Sequence, residues 1–299
     1  MKEKLFRSSK KYLLIISLLL VASASNADVL DNASGKISKM AADLIPGEGV
    51  TEVSIDIEKN SEPSFNILAV RDIDKTESTN FFTQISFTNT DVSDNERYIG
   101  NVGLGYRLLT EDKSMMIGFN SFYDHDITEG HKRASIGFEA SASTLEFNFN
   151  QYYALTGRQK VIKENSADYV EEQAVGGLDY KFSSQLPYMP WAEIGWTGYQ
   201  IESDKGSENV KGDIYSLGLA LTPSLQLDLR KDQKNSGEDT EGGNLSFIYP
   251  PRENKPTLLD GFSDEVWFEE SMENKLSQKV ERNNNLTVEI QGSVIFTKK

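Results

Sequence analysis

The chain has 299 residues, no cysteine and a formal net charge of −15. The lack of cysteine excludes disulfides, thiolate metal sites and cysteine nucleophiles. The acidity argues against a nucleic-acid partner, because phosphate binding needs clustered lysine and arginine.

The first 27 residues have the pattern of an export signal. A basic start is followed by an apolar stretch over 12–21, and small-residue triplets end at Ala24 and at Ala27. The apolar stretch is too short to span a bilayer core, which needs about 20 residues. We therefore predict that residues 1–27 are a cleaved secretory signal peptide, and we favour cleavage after Ala27.

Residues 28–50 form a short polar segment, which we predict to be periplasmic. It contains one helical candidate over 37–45, which Pro46 and Gly47 end. From Thr51 to about residue 250 the hydrophobicity pattern changes to period two, the pattern of strands with one apolar face. The candidate strands are 53–58, 63–71, 80–90, 97–109, 115–123, 131–142, 144–154, 171–182, 189–202, 215–221, 225–230 and 241–249.

These alternating segments favour a membrane barrel over a soluble β-sandwich. Aromatic residues gather near the segment ends, where interfacial girdles lie in outer-membrane barrels. The polar faces carry charges such as Arg107, Glu146 and Arg230, which a wet lumen tolerates and a sandwich core excludes. We predict an all-β protein whose residues 51–250 form a transmembrane antiparallel barrel of about twelve strands.

Loop lengths predict the orientation of this barrel. The gaps before segments 115–123, 144–154 and 225–230 are tight, whereas 155–169 and 203–210 are long. Outer-membrane barrels have short periplasmic turns and long external loops. We therefore expect the N-terminus of the barrel in the periplasm.

Residues 251–299 do not continue the barrel pattern. Pro250 and Pro251 end the last strand, because proline cannot donate to a ladder. A sparse helical candidate lies at 263–279, and 286–296 could be extended. We predict a short helical or extended C-terminal linker in or near the pore.

The centre of the chain resembles the β-domain of inverse autotransporters, the intimin and invasin family. The resemblance is carried by Phe81-Phe82-Thr83-Gln84, Gly100 to Arg107, Met116 to Asp124, His131-Lys132-Arg133, Gly137-Phe138-Glu139, Asn150-Gln151-Tyr152, Leu155-Thr156-Gly157 and Gln278 to Leu286.

The resemblance implies a twelve-stranded barrel whose linker returns through the pore and carries an extracellular passenger, often an adhesin. It implies that residues around 263–290 fill the pore. We assign to this linker, as a hypothesis, Trp267, Gln278, Arg282, Asn283 and Asn284. The sequence ends at Lys299, shortly after the linker motif, so we expect no passenger here.

A cluster of lumen-facing polar residues is expected beside the loop that follows 115–123. Asp124, His131, Arg133 and Glu139 are predicted to form a hydrogen-bonded ion cluster that stiffens the wall. Both histidines of the chain lie near here, which makes zinc conceivable, but we favour a hairpin loop. Counted from Asp124, the loop does not match an EF-hand. We expect no metal and no other cofactor.

The function we predict is that of an outer-membrane translocator or anchor, with cell adhesion as a further role. The alternatives are a small porin-like channel or a structural outer-membrane protein. Some twelve-stranded barrels are phospholipases, but these need a His-Ser pair, whereas Lys132 and Arg133 follow His131. We therefore expect no enzyme. The expected partners are outer-membrane lipid, periplasmic chaperones, the barrel-assembly machinery and a host or neighbouring-cell surface ligand.

Overall fold

The computed structural model contains a closed barrel of twelve antiparallel strands and a separate four-stranded sheet. It describes residues 39, 42, 43, 45–59, 61–92, 95–162, 169–203, 208–269, 271–290 and 293–295. The prediction of an all-β, twelve-stranded barrel is confirmed. The predicted signal peptide and most of the helical candidate over 37–45 lie outside the described residues.

The barrel strands follow one another around the wall in chain order, with one interruption between the seventh and the tenth strand of the chain. They are β1 (Gly49–Glu58), β2 (Ser64–Lys75), β3 (Thr79–Val92), β4 (Asn95–Leu109), β5 (Met115–Asp126), β6 (Lys132–Ala142), β7 (Leu145–Ala154), β10 (Gly177–Leu186), β11 (Met189–Ile201), β12 (Val210–Thr222), β13 (Leu225–Lys234) and β14 (Thr240–Tyr249). The small sheet contains β8 (Gln159–Ile162), β9 (Tyr169–Ala174), β15 (Val288–Ile290) and β16 (Ser293–Ile295). Strand β1 pairs with β14, so the barrel is closed.

Strand β4 shows how the sequence divides between the two faces of the wall. Its outward side chains are apolar and exposed, with Val102 at 47% and Leu104 at 51%, whereas the inward Arg97 and Arg107 are each 1% exposed. Successive side chains of a strand point to opposite faces. The wall is therefore apolar outside and charged inside, which suits lipid around it and polar groups within it.

The two ends of the barrel differ in the length of their connections. At the short-turn end the connections are 76–78, 110–114, 143–144, 187–188 and 223–224, each of two to five residues. The other end, called the long-loop end below, holds the two longest connections, 155–176 and 202–209. Strand β1 begins and β14 ends at the short-turn end. No helix among the described residues is long and apolar enough to cross a membrane.

Two sequence-based expectations about the strands are wrong. The predicted strand 171–182 is two strands, because β9 belongs to the small sheet and β10 to the barrel. The break falls at Gly176 and Gly177. Gly177 has a φ of +155°, a backbone conformation that residues with a side chain rarely adopt. The predicted loop 155–169 likewise contains β8.

The helical candidate 263–279 is not an α-helix. Among the described residues of this stretch only Met272–Lys275 is helical, as one 3-10 turn. Its backbone groups bond to the barrel instead: the Ser263 amide donates to the Tyr188 carbonyl at 2.9 Å, and the Tyr188 amide donates to the Val266 carbonyl at 3.0 Å. Sparse apolar positions give a helix no face to bury, so the contacts with the barrel prevail.

Candidate functional site

After β14 the chain follows the short-turn end before it turns into the lumen. This rim segment (residues 251–275) meets the short turns in reverse chain order. Arg252 donates to the Pro223 carbonyl at 3.2 Å, and Ser263 bonds Tyr188 as above. The later contacts are Ser143 Oγ to the Phe268 carbonyl at 3.4 Å and the ion pair between Lys113 and Glu273. The rim segment thereby joins four of the five short turns.

Residues 276–287, called the lumen segment below, then run through the barrel without forming a helix or a strand. The backbone of this segment hydrogen-bonds to side chains of the barrel wall and does not pair with a neighbouring strand. The contacts in order along the segment are Asn80 Nδ2 to the Leu276 carbonyl at 2.9 Å, the Val280 amide to Gln84 Oε1 at 2.7 Å, Asn150 Nδ2 to the Glu281 carbonyl at 3.0 Å, the Asn283 amide to Tyr152 Oη at 2.8 Å and Asn101 Nδ2 to the Asn284 carbonyl at 3.0 Å. A backbone that lies away from water and outside regular secondary structure needs such partners for its polar groups. The segment is therefore held in place by the lumen face of the wall.

Lys275, at the end of the rim segment, and three charged side chains of the lumen segment pair with opposite charges on four different strands. The pairs are Lys275 with Glu146 on β7, Lys279 with Glu52 on β1 at 3.0 Å, Glu281 with Lys181 on β10 at 3.0 Å and Arg282 with Asp124 on β5 at 2.8 Å. A buried charge without a partner is costly, so each pair ties the segment to one side of the wall.

Arg282 and Asp124 form the centre of the most buried of these sites. Asp124 Oδ2 accepts from the Arg282 guanidinium and from Arg133 Nε, both at 2.8 Å. Arg133 also donates to the Asn283 carbonyl at 2.7 Å. The three charged side chains are at most 1% exposed. One carboxylate of the wall thus compensates two arginines, one on the wall and one on the lumen segment.

Aromatic rings of the wall lie under these arginines, and glycines of β4 make room for the rings. The Arg282 guanidinium lies 4.2 Å from the centre of the Phe122 ring, and that of Arg107 lies 4.6 Å from the centre of the Phe82 ring. A Cβ atom would lie 2.3 Å from Phe122 at Gly103 and 2.2 Å from Phe82 at Gly105. These positions admit only glycine without movement of a ring. Arginine over an aromatic face is a favourable arrangement.

The predicted lumen cluster is divided among three places. The structure brings Asp124 and Arg133 together. Glu139 lies instead beside Arg107, whose guanidinium donates to it at 2.8 Å and also to the Lys275 carbonyl at 3.0 Å. His131 lies at the long-loop end, with Nε2 at 3.2 Å from Glu172 Oε1. No group of three or more potential metal-binding side chains occurs among the described residues.

The residues assigned to the pore linker are also divided. Gln278, Arg282, Asn283 and Asn284 belong to the lumen segment and bond to the wall or to each other, as with Arg282 and the Asn284 amide oxygen at 2.8 Å. Trp267 lies in the rim segment and is 44% exposed.

Sequence reasoning missed Arg97, Glu172 and the amides Asn80, Gln84 and Asn101. Their signal was present as polar residues on the inward face of alternating strands, but the sequence does not show which of them meet the C-terminal segment. The strand alternation places a side chain on a face, whereas its partner depends on the path of residues 276–287.

The lumen segment fills only part of the barrel. A cavity of about 310 Å³ remains beside it, with Glu52, Lys181, Asp228 and Arg230 in its lining. Toward the long-loop end, Val175, Tyr199, Ile201 and Ile214 form a buried apolar cluster, called the collar below. The polar cavity has room for on the order of ten or more water molecules.

The sequence matches one protein family and named members of it. The family model described as "Inverse autotransporter, beta-domain" matches residues 21–284. Invasin of Yersinia enterocolitica is 29% identical over 233 residues, which are 72% of this chain and 26% of invasin. The inverse autotransporter adhesin YeeJ of Escherichia coli strain K12 is 30% identical over 219 residues, which are 70% of this chain and 9% of YeeJ.

The chain therefore spans about a quarter or less of the length of these two relatives. A solved structure from work on the in-meso crystallization of membrane proteins matches with a TM-score of 0.62 and 19% identity, over 81% of this chain and 99% of that one. At this identity the likeness concerns the fold.

Proposed function

Because the chain belongs to the inverse autotransporter β-domain family, we propose that it translocates its own C-terminal segment through the barrel to the cell surface. The family and the apolar outer wall make the chain an outer-membrane β-barrel anchor. In this proposal the short-turn end, with the start of β1, faces the periplasm. The long-loop end faces the outside.

One observation carries the proposal: the C-terminal segment passes through the barrel from one end to the other. Leu276 contacts Asn80 near the short-turn end, Asn283 contacts Arg133 in the lumen, and Thr287 contacts Val175 at the long-loop end. A chain that ended in the periplasm would need none of these contacts. The ion pairs along the route support a seated segment rather than a chain in transit.

The proposal requires delivery and folding before translocation. Residues 1–27 would direct export, and periplasmic chaperones with the barrel-assembly machinery would insert the barrel. Unpaired strands cannot satisfy their backbone groups in lipid, so the wall must close as it inserts.

The experiment that tests the proposal is surface labelling of the C-terminus. An epitope tag placed after Lys299 is expected to bind antibody on intact cells. A tag in the turn 110–114 should be labelled only after permeabilisation, and a tag in the loop 235–239 should be labelled on intact cells. The proposal fails if the 235–239 tag is labelled on intact cells while the tag after Lys299 needs permeabilisation.

The cavity beside the lumen segment favours a second candidate function, a small channel. The cavity is lined in part by charged groups, as in channels with a polar lumen, and the apolar collar lies toward the long-loop end. The reconstituted barrel should then conduct ions only weakly in a planar bilayer. Conductance that is indistinguishable from a protein-free bilayer would exclude the channel.

A role in adhesion is the most specific part of the proposal. It is supported by relatives named invasin and adhesin, of which the chain spans 26% and 9%. Bacteria that display the chain should then bind host cells or each other more than vector controls do. Equal binding of the two strains would remove adhesion from the proposal.

A further inference from the structure

At the long-loop end, the C-terminal segment leaves the lumen along β9. Strand β15 pairs antiparallel with β9, with Val288 opposite Ala174, Glu289 opposite Gln173 and Ile290 opposite Glu172. Strand β9 itself belongs to the connection 155–176 and pairs with no strand of the barrel ladder. The position of β15 therefore depends on what holds β9 at the mouth.

Glu172 holds β9 on the barrel wall. The Arg97 guanidinium of β4 donates to both of its oxygens, at 2.5 and 2.6 Å, and donates to Asp126 of β5 at 2.9 Å. His131 Nε2 lies 3.2 Å from the same carboxylate. All four side chains are at most 2% exposed. A bidentate arginine–carboxylate pair fixes both distance and orientation.

The wall and β9 together form an apolar pocket that receives the segment. Val92, Ile99 and Ala174 pack against Leu286 and Val288, all of them at most 3% exposed. A backbone ladder on one strand and pockets for alternate side chains are the two features by which proteins recognise an extended peptide.

We propose that β9 and its pocket are a peptide-binding site that captures the exported segment by strand addition as it emerges. The ligand is an extended strand of this chain, residues 286–290, with apolar side chains at every second position. The proposal rests on the translocator function and deepens it, because it assigns to the loop 155–176 the role of receiving the chain.

The same site resists backward movement of the segment. A slip of one residue exchanges the two faces of a strand, so it would bring Glu289 or Thr287 into the pocket that now holds Val288. The Glu289 carboxylate now accepts from Ser203 Oγ at 2.9 Å, outside the pocket. A charged group in that pocket is unfavourable, which fixes the register of the captured strand.

The test uses the full chain in the outer membrane with a cysteine pair as reporter. The chain has no cysteine, so Gln173→Cys with Glu289→Cys reports only on the pairing of β9 with β15. Opposite residues of an antiparallel pair are close enough for a disulfide. The initial rate of cross-linking follows the fraction of chains in which the two strands are paired.

Glu172→Gln in this reporter background should lower the cross-linking rate about tenfold, because the amide has no negative charge and its nitrogen cannot accept the second bond from Arg97. The matched control is Glu171→Gln, whose half-exposed carboxylate pairs with Arg158 at 3.4 Å on the other face of β9. The control should keep the parent rate. Heat-dependent mobility in gels shows whether each barrel has folded.

Val288→Thr is the second variant, and it decides the test if Glu172→Gln does not fold. It places a hydroxyl in the apolar pocket and should also lower the rate several-fold. The inference is overturned if each of these two variants that folds cross-links at a rate within about twofold of the parent rate. The proposed function is judged separately on the parent, by surface labelling of a tag after Lys299. If that tag is labelled and the variants have no effect, only the receiving site is wrong.

Discussion

Removal of the Asp124 charge should destabilise the protein more than removal of the Arg282 charge that it meets. In Asp124→Asn, Arg133 and Arg282 both lose their only charged partner among the contacts described above, in a place with at most 1% exposure. Breaking a buried pair costs about 3–5 kcal/mol. The remaining bonds of the arginines to Asn283 and Asn284 reduce this only in part, so we expect a loss of about 4 kcal/mol in the free energy of unfolding.

Arg282→Met should cost about 2 kcal/mol, because it removes the guanidinium bonds to Asp124, Ser135 and Asn284 but leaves no charge unpaired. It also removes the contact with the Phe122 ring. Asp124 keeps Arg133 and the Asn101 amide at 2.7 Å in this variant. The asymmetry follows from the geometry, in which one carboxylate serves two cations.

The assay is denaturant unfolding of the refolded barrel in lipid vesicles, followed by tryptophan fluorescence. Glu111→Gln, in the exposed turn 110–114, is the control for loss of a carboxylate and should leave the midpoint unchanged. The reasoning is refuted if Arg282→Met costs as much as Asp124→Asn, or if both variants unfold like the parent.

Three further substitutions test other contacts of the lumen. Gly105→Ala should reduce the folded fraction in heat-mobility gels, because its Cβ would lie 2.2 Å from the Phe82 ring. The control Gly157→Ala, whose Cβ would have nothing within 4 Å, should not reduce it. Equal folding of the two variants would contradict the close packing. Ile214→Ala, which removes part of the collar, should raise the conductance in planar bilayers. The control is Ile194→Ala, because the Ile194 side chain is 47% exposed on the outer wall and should not affect conductance. Equal conductance of the two variants would show that the collar does not close the cavity. Arg107→Lys should make the C-terminal segment more sensitive to protease in detergent. Lysine cannot replace the guanidinium, which bonds to the Glu139 carboxylate and to the Lys275 carbonyl at the same time. Unchanged digestion would contradict the proposal that Arg107 holds the segment in place.

The barrel could be predicted from the sequence because the alternation is a local signal. In β4 the inward and outward residues differ at nearly every step, and the period of two needs no knowledge of the partner strands. The ends of strands were less certain, as with 171–182, where apolar alternation continues through two glycines that bend the chain. The two-residue period of hydrophobicity alone does not show that a strand has left the barrel.

The candidate site was only partly predictable, because its contacts join residues that are far apart in the sequence. Glu139 and Arg133 are six positions apart on one inward face of β6, yet Glu139 accepts from Arg107 of β4, whereas Arg133 donates to Asp124 of β5. Each site also includes a backbone carbonyl of the C-terminal segment, that of Lys275 beside Arg107 and that of Asn283 beside Arg133. The path of this segment depends on the closed barrel, and no local pattern in 251–299 encodes it.

The route of the lumen segment has a consequence for the order of assembly. The ion pair between Lys279 and Glu52 and the bonds from Ser277 to Asp72 join positions more than 200 residues apart. Such contacts raise the contact order, because the ends of a long stretch of chain must be brought together before they form. We therefore expect the C-terminal segment to be seated late in assembly, where it locks the first hairpin of the chain to residues that are synthesised near its end.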